Sequence, residues 1–366
     1  MQVGVVDDYF NLVPGRPADV KVYTPTDSYA PVVSTAGIDT ASGKTELMYV
    51  NMRTAATHYL TASDYGGSGL SDDPRSSTVT VRPANPMGLQ LLLPGEAAVP
   101  GSGNYPAGGK TVGASTQTAG TGFSATINLV DRYMNVYRDL PVGPTVYLVT
   151  SDVYDIDFDS APLNYGTLQA SFNPVTKANP ASVRAYPVNI SDNYVCFENT
   201  GGVCLADDAA ARGSFRVYAS TAVRLEVVLS GQTLVEGKCA VNPPCRDASQ
   251  AWPGRSGPPS QHAIGTGFLF STVYLTDRFF NKATEGSGAA QDTKPIAVMP
   301  EVRVTMPGDT KTASPAVQTL SNGSAGFQLS PRTSISSYTV LAATSAASPA
   351  DYQQGISTLT VNPGPA

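Results

Sequence analysis

The chain has 366 residues, is 41% apolar and 14% charged, holds 34 Gly and 29 Pro, and carries a formal net charge of −6. That apolar share can build cores and argues against disorder, while the lack of a Lys/Arg cluster argues against a nucleic-acid partner, whose phosphates need a basic face. No run of about 20 apolar residues is present to span a bilayer, and Met1-Gln2-Val3-Gly4 has neither the basic nor the apolar region of a signal peptide.

Val3 and Val5 open a short alternating strand that runs into Asp7-Asp8-Tyr9-Phe10-Asn11. The same pattern (Asp, charged, aromatic, bulky apolar, Asn) returns as Asp131-Arg132-Tyr133-Met134-Asn135 and as Asp277-Arg278-Phe279-Phe280-Asn281. The offsets are 131 − 7 = 124 and 277 − 131 = 146, a domain-sized period. A repeat of that size decides the fold before any site does: three copies of one module, expected at 1–83, 87–220 and 223–362. In the first copy Val20/Val22, Leu47/Tyr49, Leu60/Ala62 and Val79/Val81 predict the later strands. Six residues precede Asp7, against 131 − 89 = 42 from Leu89 to Asp131 in the second copy. The first module is therefore expected to lack its opening strands.

The second copy is the complete specimen. Leu89-Gln90-Leu91-Leu92-Leu93 is an apolar strand stopped by Pro94-Gly95, and a Gly/Pro-rich loop follows through Tyr105. After Gly120-Thr121-Gly122-Phe123 comes strict alternation, with Phe123, Ala125, Ile127 and Leu129 on one face and Ser124, Thr126 and Asn128 on the other. That period marks a half-buried strand. Val146/Leu148, Leu168/Ala170/Phe172, Val183/Ala185 and Phe215/Val217 bring the total to about seven strands at the turn spacing of an antiparallel sandwich. The third copy repeats the order from Leu225, through Gly265-Thr266-Gly267-Phe268 to Asp277, then Val302/Val304, Phe327/Leu329, Val340/Ala342 and Leu359/Val361. One extra residue between its Gly-Thr-Gly-Phe and its Asp predicts a β-bulge between Phe268 and Val273. The joints Pro83-Ala84-Asn85-Pro86, Ala219-Ser220-Thr221-Ala222 and Asn362-Pro363-Gly364-Pro365 are short, and proline stiffens the first and the third, so the modules should form an extended rod.

Two insertions break the regularity: Asn189 to Gly213 in the second copy and Thr233 to Ala263 in the third. They hold the four cysteines as close pairs, Cys196/Cys204 and Cys239/Cys245. Three connectivities are possible; the local pairs are favoured, and the gaps of seven and five residues are wider than the usual C-x2–4-C of zinc sites. Two short disulfide loops imply an oxidising, extracellular setting.

The candidate site residues each carry two readings. The repeated Asp and Asn form either a ligand site or, as their strand-end position favours, a turn in which both side chains bond nearby backbone; the aromatic between them is expected to plug its sandwich end. Asp155, Asp157 and Asp159, with Asp152, have calcium-type oxygen ligands, but the Gly and Glu of an EF-hand loop are missing. Their other reading is a solvated acidic edge that discourages strand aggregation. His58 aligns with Tyr338 and reads as a buried structural histidine, as against a base; His262 stands in another module. No Ser/His/Asp or Cys/His set occupies matching places across the copies, so no catalytic residue and no cofactor are assigned. Trp252, Tyr194 and Phe197, with Tyr105, are either sugar-stacking platforms or loop anchors. Asn189-Ile190-Ser191 and Asn322-Gly323-Ser324 fit the glycosylation pattern.

The ordered series Leu93-Pro94-Gly95, Gly120 to Phe123, Asp131 to Asn135 and Leu163-Asn164-Tyr165-Gly166 resembles tandem bacterial Ig-like repeats of cell-surface and adhesin-type proteins. The resemblance implies an all-β chain of Ig-like sandwiches and brings no catalytic residue. The expected function is that of a non-enzymatic extracellular fibre or stalk of a microbial surface. Identical chains would associate head to tail, a neighbouring strand filling the open groove of the first module. Two other readings stay open: a piece of a longer repeat protein, and an adhesin that binds glycans or a receptor through its inserted loops.

Overall fold

The structure is a computed structural model and describes residues 1–31, 35–46, 50–72, 75–156, 158–187, 194–197, 203–206, 211–239, 245, 251–283, 298–311, 316–346, 348 and 352–365. Its regular elements are all β-strands. They fall into three successive sets, each with its own buried apolar cluster. Val5, Ala18, Val20 and Ile38 centre the N-terminal set, Leu91, Ile127 and Leu148 the central one, and Val227, Val273 and Val340 the C-terminal one. Alternation produces these cores directly. In Phe123–Val130 the side chains of Ala125, Ile127 and Leu129 are fully buried, and each Leu or Ile withdrawn in this way contributes roughly 1.5–3 kcal/mol.

In the central set Gly88–Leu92, Phe123–Val130 and Thr167–Phe172 lie side by side. Phe158–Asn164, Val142–Thr150, Ala178–Pro187, Arg212–Tyr218 and Gln117–Thr118 form the facing layer, joined to the first layer by the tight pair Asn164↔Thr167. The C-terminal set repeats this as two separate sheets. One is Arg224–Leu229, Leu269–Thr276, Ser324–Leu329; the other is His262–Ala263, Gly355–Asn362, Ile335–Thr344, Glu301–Thr305, Ala316–Thr319. The N-terminal set is smaller. Its Gln2–Gly4 occupies the place of Phe123–Val130 and Leu269–Thr276 but among the described residues pairs only with Lys44–Glu46, whereas those two strands have neighbours on both sides. Leu47 and Tyr49 lie outside the described residues.

Two expectations need correction. The bulge between Phe268 and Val273 does not form: Leu269–Thr276 keeps unbroken register with both neighbours. The extra residue is absorbed in the turn before the strand, where Gly265 and Gly267 have φ of 81° and 111°. Leu269, opposite Leu329, therefore takes the place of Phe123, opposite Phe172, and Phe268 is left exposed. From strand start to motif Asp the spacing is then equal, 131 − 123 = 8 and 277 − 269 = 8. A turn of positive-φ glycines stores an added residue more cheaply than a strand whose face would flip.

The second correction concerns the Thr233–Ala263 segment, most of which is the Gly/Pro loop of the central set in another guise. Val99 N–H donates to Gly109 O, and Val235 N–H donates to Gly254 O. Gln90 and Glu226 hold equivalent strand positions opposite Asn128 and Tyr274; Gln90 donates to Gly109 O, and Glu226 pairs with Arg255 at 2.9 Å. Only the stretch between Gly237 and Gly254 is longer, by 17 − 8 = 9 residues relative to Gly101–Gly109. That extension carries Cys239, Cys245 and Trp252.

Candidate functional site: the joints between strand sets

The repeated pentapeptide folds the same way three times. One carboxylate oxygen of Asp131 accepts the N–H groups of Tyr133 (2.8 Å) and Asn135 (2.9 Å), and the Asn135 amide returns bonds to both Asp131 oxygens. Asp7 does this with Tyr9 and Asn11, and Asp277 makes the same backbone bonds with Phe279 and Asn281, the Asn281 amide returning to Oδ2. The fourth residue is left-handed each time: φ is 64° at Phe10, 64° at Met134 and 66° at Phe280. Asp and Asn are the side chains short enough to bond backbone this closely.

Having closed the turn, the same two side chains reach into the strand set before them. Asn135 donates to Arg53 O and accepts from Ala55 N–H, both at 2.8 Å, while Asp131 Oδ2 accepts the linker N–H of Ala84 at 2.9 Å. Asn281 donates to Val175 O (2.7 Å) and accepts from Lys177 N–H (2.9 Å), and Asp277 Oδ2 accepts the linker N–H of Ser220 at 2.8 Å. Asp131, Asn135, Asp277 and Asn281 are all buried. Burial raises the carboxyl of Asp277 above its usual value against the bonds from Asn281, Ser220 and Phe279. At the exposed Asp7 the bonds from Asn11 and Tyr9 lower it instead.

The surface these side chains grip is itself built by a second repeated Asp. Asp27 accepts Arg53 N–H, Thr54 N–H and the Thr54 hydroxyl. Asp152 does the same with Val175, Thr176 and the Thr176 hydroxyl, and Asp309 with Arg332, Thr333 and the Thr333 hydroxyl. Burial raises Asp309, but the bonds from Arg332, Tyr338, Lys311 and Thr333 win and hold it at about 2. His58 and Tyr338 both close on this clamp: His58 meets Thr26 Oγ1 and Thr54 O, and the Tyr338 hydroxyl donates to Asp309 Oδ2. Ala181 lines the corresponding place at Asp152 and leaves a cavity of about 100 Å³ there. A loop glycine of the following set completes each joint. A Cβ at Gly101 would overlap Thr54 Oγ1, and one at Gly237 would overlap Thr176 Oγ1.

The aromatic of the motif does not plug its own sandwich. Phe279 is buried in the apolar cluster of the preceding, central set. The ring of Tyr133 lies under the Arg53 guanidinium of the N-terminal set, 5.3 Å from its centroid, and Arg132 stands 5.8 Å from it. The residue after it turns inward, Met134 among Val130, Tyr105 and Val136, and Phe280 against Gly254.

The second joint has extra fastenings. The Cys239–Cys245 disulfide forms and is buried with the central cluster, and Cys245 bridges to Asp155 through the backbone. Lys177 pairs with Glu236 at 2.8 Å, and Arg278 donates to Gly120 O. Asp155 is thus buried beside Cys245, its carboxylate taking the Thr150 hydroxyl, and Asp152 is the clamp. The side chains of Asp157 and Asp159 lie outside the described residues, and among those described no group of three or more metal-ligating side chains occurs. Trp252 is half-buried with the Arg255 guanidinium 5.9 Å from its ring centroid. Cys196 sits across from Cys204 in a two-stranded hairpin; the side chains of both, and of Tyr194 and Phe197, lie outside the described residues, as does Asn189. Burial lowers His262. Sequence reasoning missed the Asp27, Asp152 and Asp309 clamps. The available signal was a second Asp in each copy followed by a Thr 27, 24 and 24 residues later (54 − 27, 176 − 152, 333 − 309).

No protein-family model and no curated protein matches the chain. Solved structures do. Invasin, a bacterial integrin-binding protein, is 14% identical over 98% of this chain and 56% of its own, with a TM-score of 0.28. The adhesin InvE of Yersinia pseudotuberculosis is 14% identical over 68% of this chain and 56% of its own, TM-score 0.23. The FN1–FN3 domains of chicken CNTN1 are 8% identical over 96% of this chain and 90% of theirs, TM-score 0.27. The chain thus spans a little over half the length of invasin. No helix among the described residues is long and apolar enough to cross a membrane.

Proposed function

We propose that the chain is a non-enzymatic structural protein of a microbial cell surface: a stiff series of Ig-like sandwich modules belonging to an extracellular fibre or stalk. The observation that carries this reading is the joint. Each linker N–H and each preceding clamp loop is held by a buried Asp–Asn pair, which removes the free rotation that a four-residue linker would otherwise allow. Rigid spacing between modules is of use to a rod and of none to a pocket. The buried Cys239–Cys245 disulfide supports an oxidising location. The environments of the perturbed acids support a structural reading: Asp27, Asp277 and Asp309 each spend oxygens on backbone N–H groups, and Glu226, raised to about 7 by burial, is paired with Arg255.

Small-angle scattering tests the rod. The wild type gives one sharp maximum dimension, and the Asn135→Ala/Asn281→Ala double variant a broadened, shorter distribution. A wild type as flexible as the double variant refutes it. An adhesin is the second reading, supported by a groove of about 500 Å³ beside the second joint, lined by Lys177, Glu236, Phe270, Tyr274 and Lys282. Phe270 is exposed there. A glycan array on which wild type and Phe270→Ala are equally silent removes that reading.

A further inference from the structure

The Asp7–Asn11 turn is folded like the other two, yet no described residue covers it. Tyr9 and Phe10 are each 85% exposed, against 2% and 6% for Phe279 and Phe280. Among the described residues the Asn11 amide bonds only the two Asp7 carboxylate oxygens, and Asp7 Oδ2 only that amide, whereas the same atoms of Asp131/Asn135 and Asp277/Asn281 hold a linker N–H, a clamp carbonyl and a clamp N–H. A turn already closed by its own bonds is a preorganised acceptor, and docking on it costs little further ordering.

The far end of the C-terminal set presents the matching half. In both joints the gripped atoms are the carbonyl of the residue before the clamp Thr and the N–H of the residue after it. At the Asp309 clamp these are Arg332 O and Ser334 N–H, on exposed residues and without a hydrogen-bond partner among the described residues. The third gripped atom is a linker N–H. Val217 pairs with Gln117 as Val361 pairs with His262, so the counterpart of Ser220 is Gly364, whose N–H is likewise unpartnered. The side chains agree as well. Arg332-Thr333 repeats Arg53-Thr54, the pair whose guanidinium lies over Tyr133, and Tyr9 is the counterpart of Tyr133. Asp8 stands where Arg132 stands, which sets an acid beside Arg332 in place of a base.

We propose that the Asp7–Asn11 turn of one copy docks on the Arg332–Ser334 and Gly364 end of a second copy, so that chains join head to tail through the joint they already use twice internally. Asn11 donates to Arg332 O and accepts from Ser334 N–H, Asp7 Oδ2 accepts from Gly364 N–H, and the Tyr9 ring lies against the Arg332 guanidinium. This rests on the rod reading and adds its partner. The contact joins two different surfaces and is heterologous, so it propagates into a filament wherever the rotation does not close.

Sedimentation equilibrium of the full chain at rising concentration tests it. The wild type gains mass with concentration. Asn11→Ala, which loses both bonds to the clamp, weakens association about tenfold or more. Arg332→Glu does so from the other end; Arg332 gives the clamp only its backbone N–H, so the fold is spared, and matching thermal melts check this. A second pair of variants isolates the two ends: Tyr9→Ala/Asn11→Ala keeps a working tail, and Ser334→Pro keeps a working head. Each alone is monomeric, and mixed they form a dimer and nothing larger. A wild type that stays monomeric at every concentration overturns the proposal, as does association undiminished by Asn11→Ala and Arg332→Glu. Cover of Tyr9 that arises only when a sandwich module is fused ahead of residue 1 also overturns it, in favour of a covalent neighbour. A monomer that still scatters as a stiff rod sinks the docking and leaves the rod standing.

Discussion

The turns at Asp7–Asn11 and Asp277–Asn281 have the same backbone bonds and opposite surroundings. One stands in solvent with Tyr9 and Phe10 bare; the other is sealed, with Asn281 fully buried and Phe279 seated in the core of the preceding strand set. The comparison separates two jobs done by the same five residues. Asp Oδ1 and the Asn backbone N–H make the turn, and they suffice without a partner. Asp Oδ2, the Asn side-chain amide and the aromatic ring make the joint, and they act only where a clamp loop is present.

Deleting the ring should split the two regions furthest. Phe279→Ala empties a site in the central core and should cost about 3–5 kcal/mol, read as a lower denaturant midpoint. Tyr9→Ala, at an exposed ring, should leave the monomer within about 0.5 kcal/mol; an equal loss at both would mean that the aromatic serves its own sandwich after all. Asn281→Ala comes next. It strands Val175 O and Lys177 N–H in a buried joint, at about 2–4 kcal/mol, with faster amide exchange at Lys177 and Ser220, while Asn11→Ala should barely move the melt. Replacing Cys239 and Cys245 by Ser should remove about 2 kcal/mol and loosen the second joint while the first keeps its exchange rates. Protection lost equally at both joints would show that the disulfide stabilises the whole chain.

Titration gives the smallest effect, and its sign differs between the copies. Asp277 is raised by burial, so the native state holds its proton above the ordinary carboxyl value of 3.8. Its contribution is full below that value and declines as pH climbs through the raised one. Asp7 is lowered, so its turn is favoured above pH 3.8 and loses that advantage as pH falls. Asp309, held at about 2, behaves like Asp7: its clamp weakens from pH 3.8 down to about 2. Carboxyl-carbon chemical shifts followed through an acid titration would show these opposite displacements, and a shared midpoint for Asp7 and Asp277 would contradict them.

The strand sets were legible because alternation writes burial directly: Ala125, Ile127 and Leu129, or Val302 and Val304, are inside for the reason their spacing indicates. The pentapeptide was legible as a repeat, and its joint role was not. Its partners are Arg53 O, Ala55 N–H, Val175 O and Lys177 N–H, backbone groups that every residue type supplies, so no side-chain pattern announces them. The clamp Asp was hidden by loop length, following the motif Asp by 27 − 7 = 20, 152 − 131 = 21 and 309 − 277 = 32 residues. Asn128, assigned to an outward polar face, is buried beneath the Gly/Pro loop and bonded to Gln90 and Thr167. A period-two pattern reports which face is polar; it does not report that a later loop will cover it.

Gln117–Thr118 runs parallel to Arg212–Tyr218, and His262–Ala263 parallel to Gly355–Asn362. Because the strands of each pair point the same way, the polypeptide enters the pair at one extremity and departs at the other. Tension applied along the chain therefore slides the two strands lengthwise and strains all their bonds together, where an antiparallel pair would be peeled open bond by bond. Resistance to such a pull is set by how fast the pair ruptures rather than by equilibrium stability. A tether exposed to flow would hold or fail by these few parallel pairs.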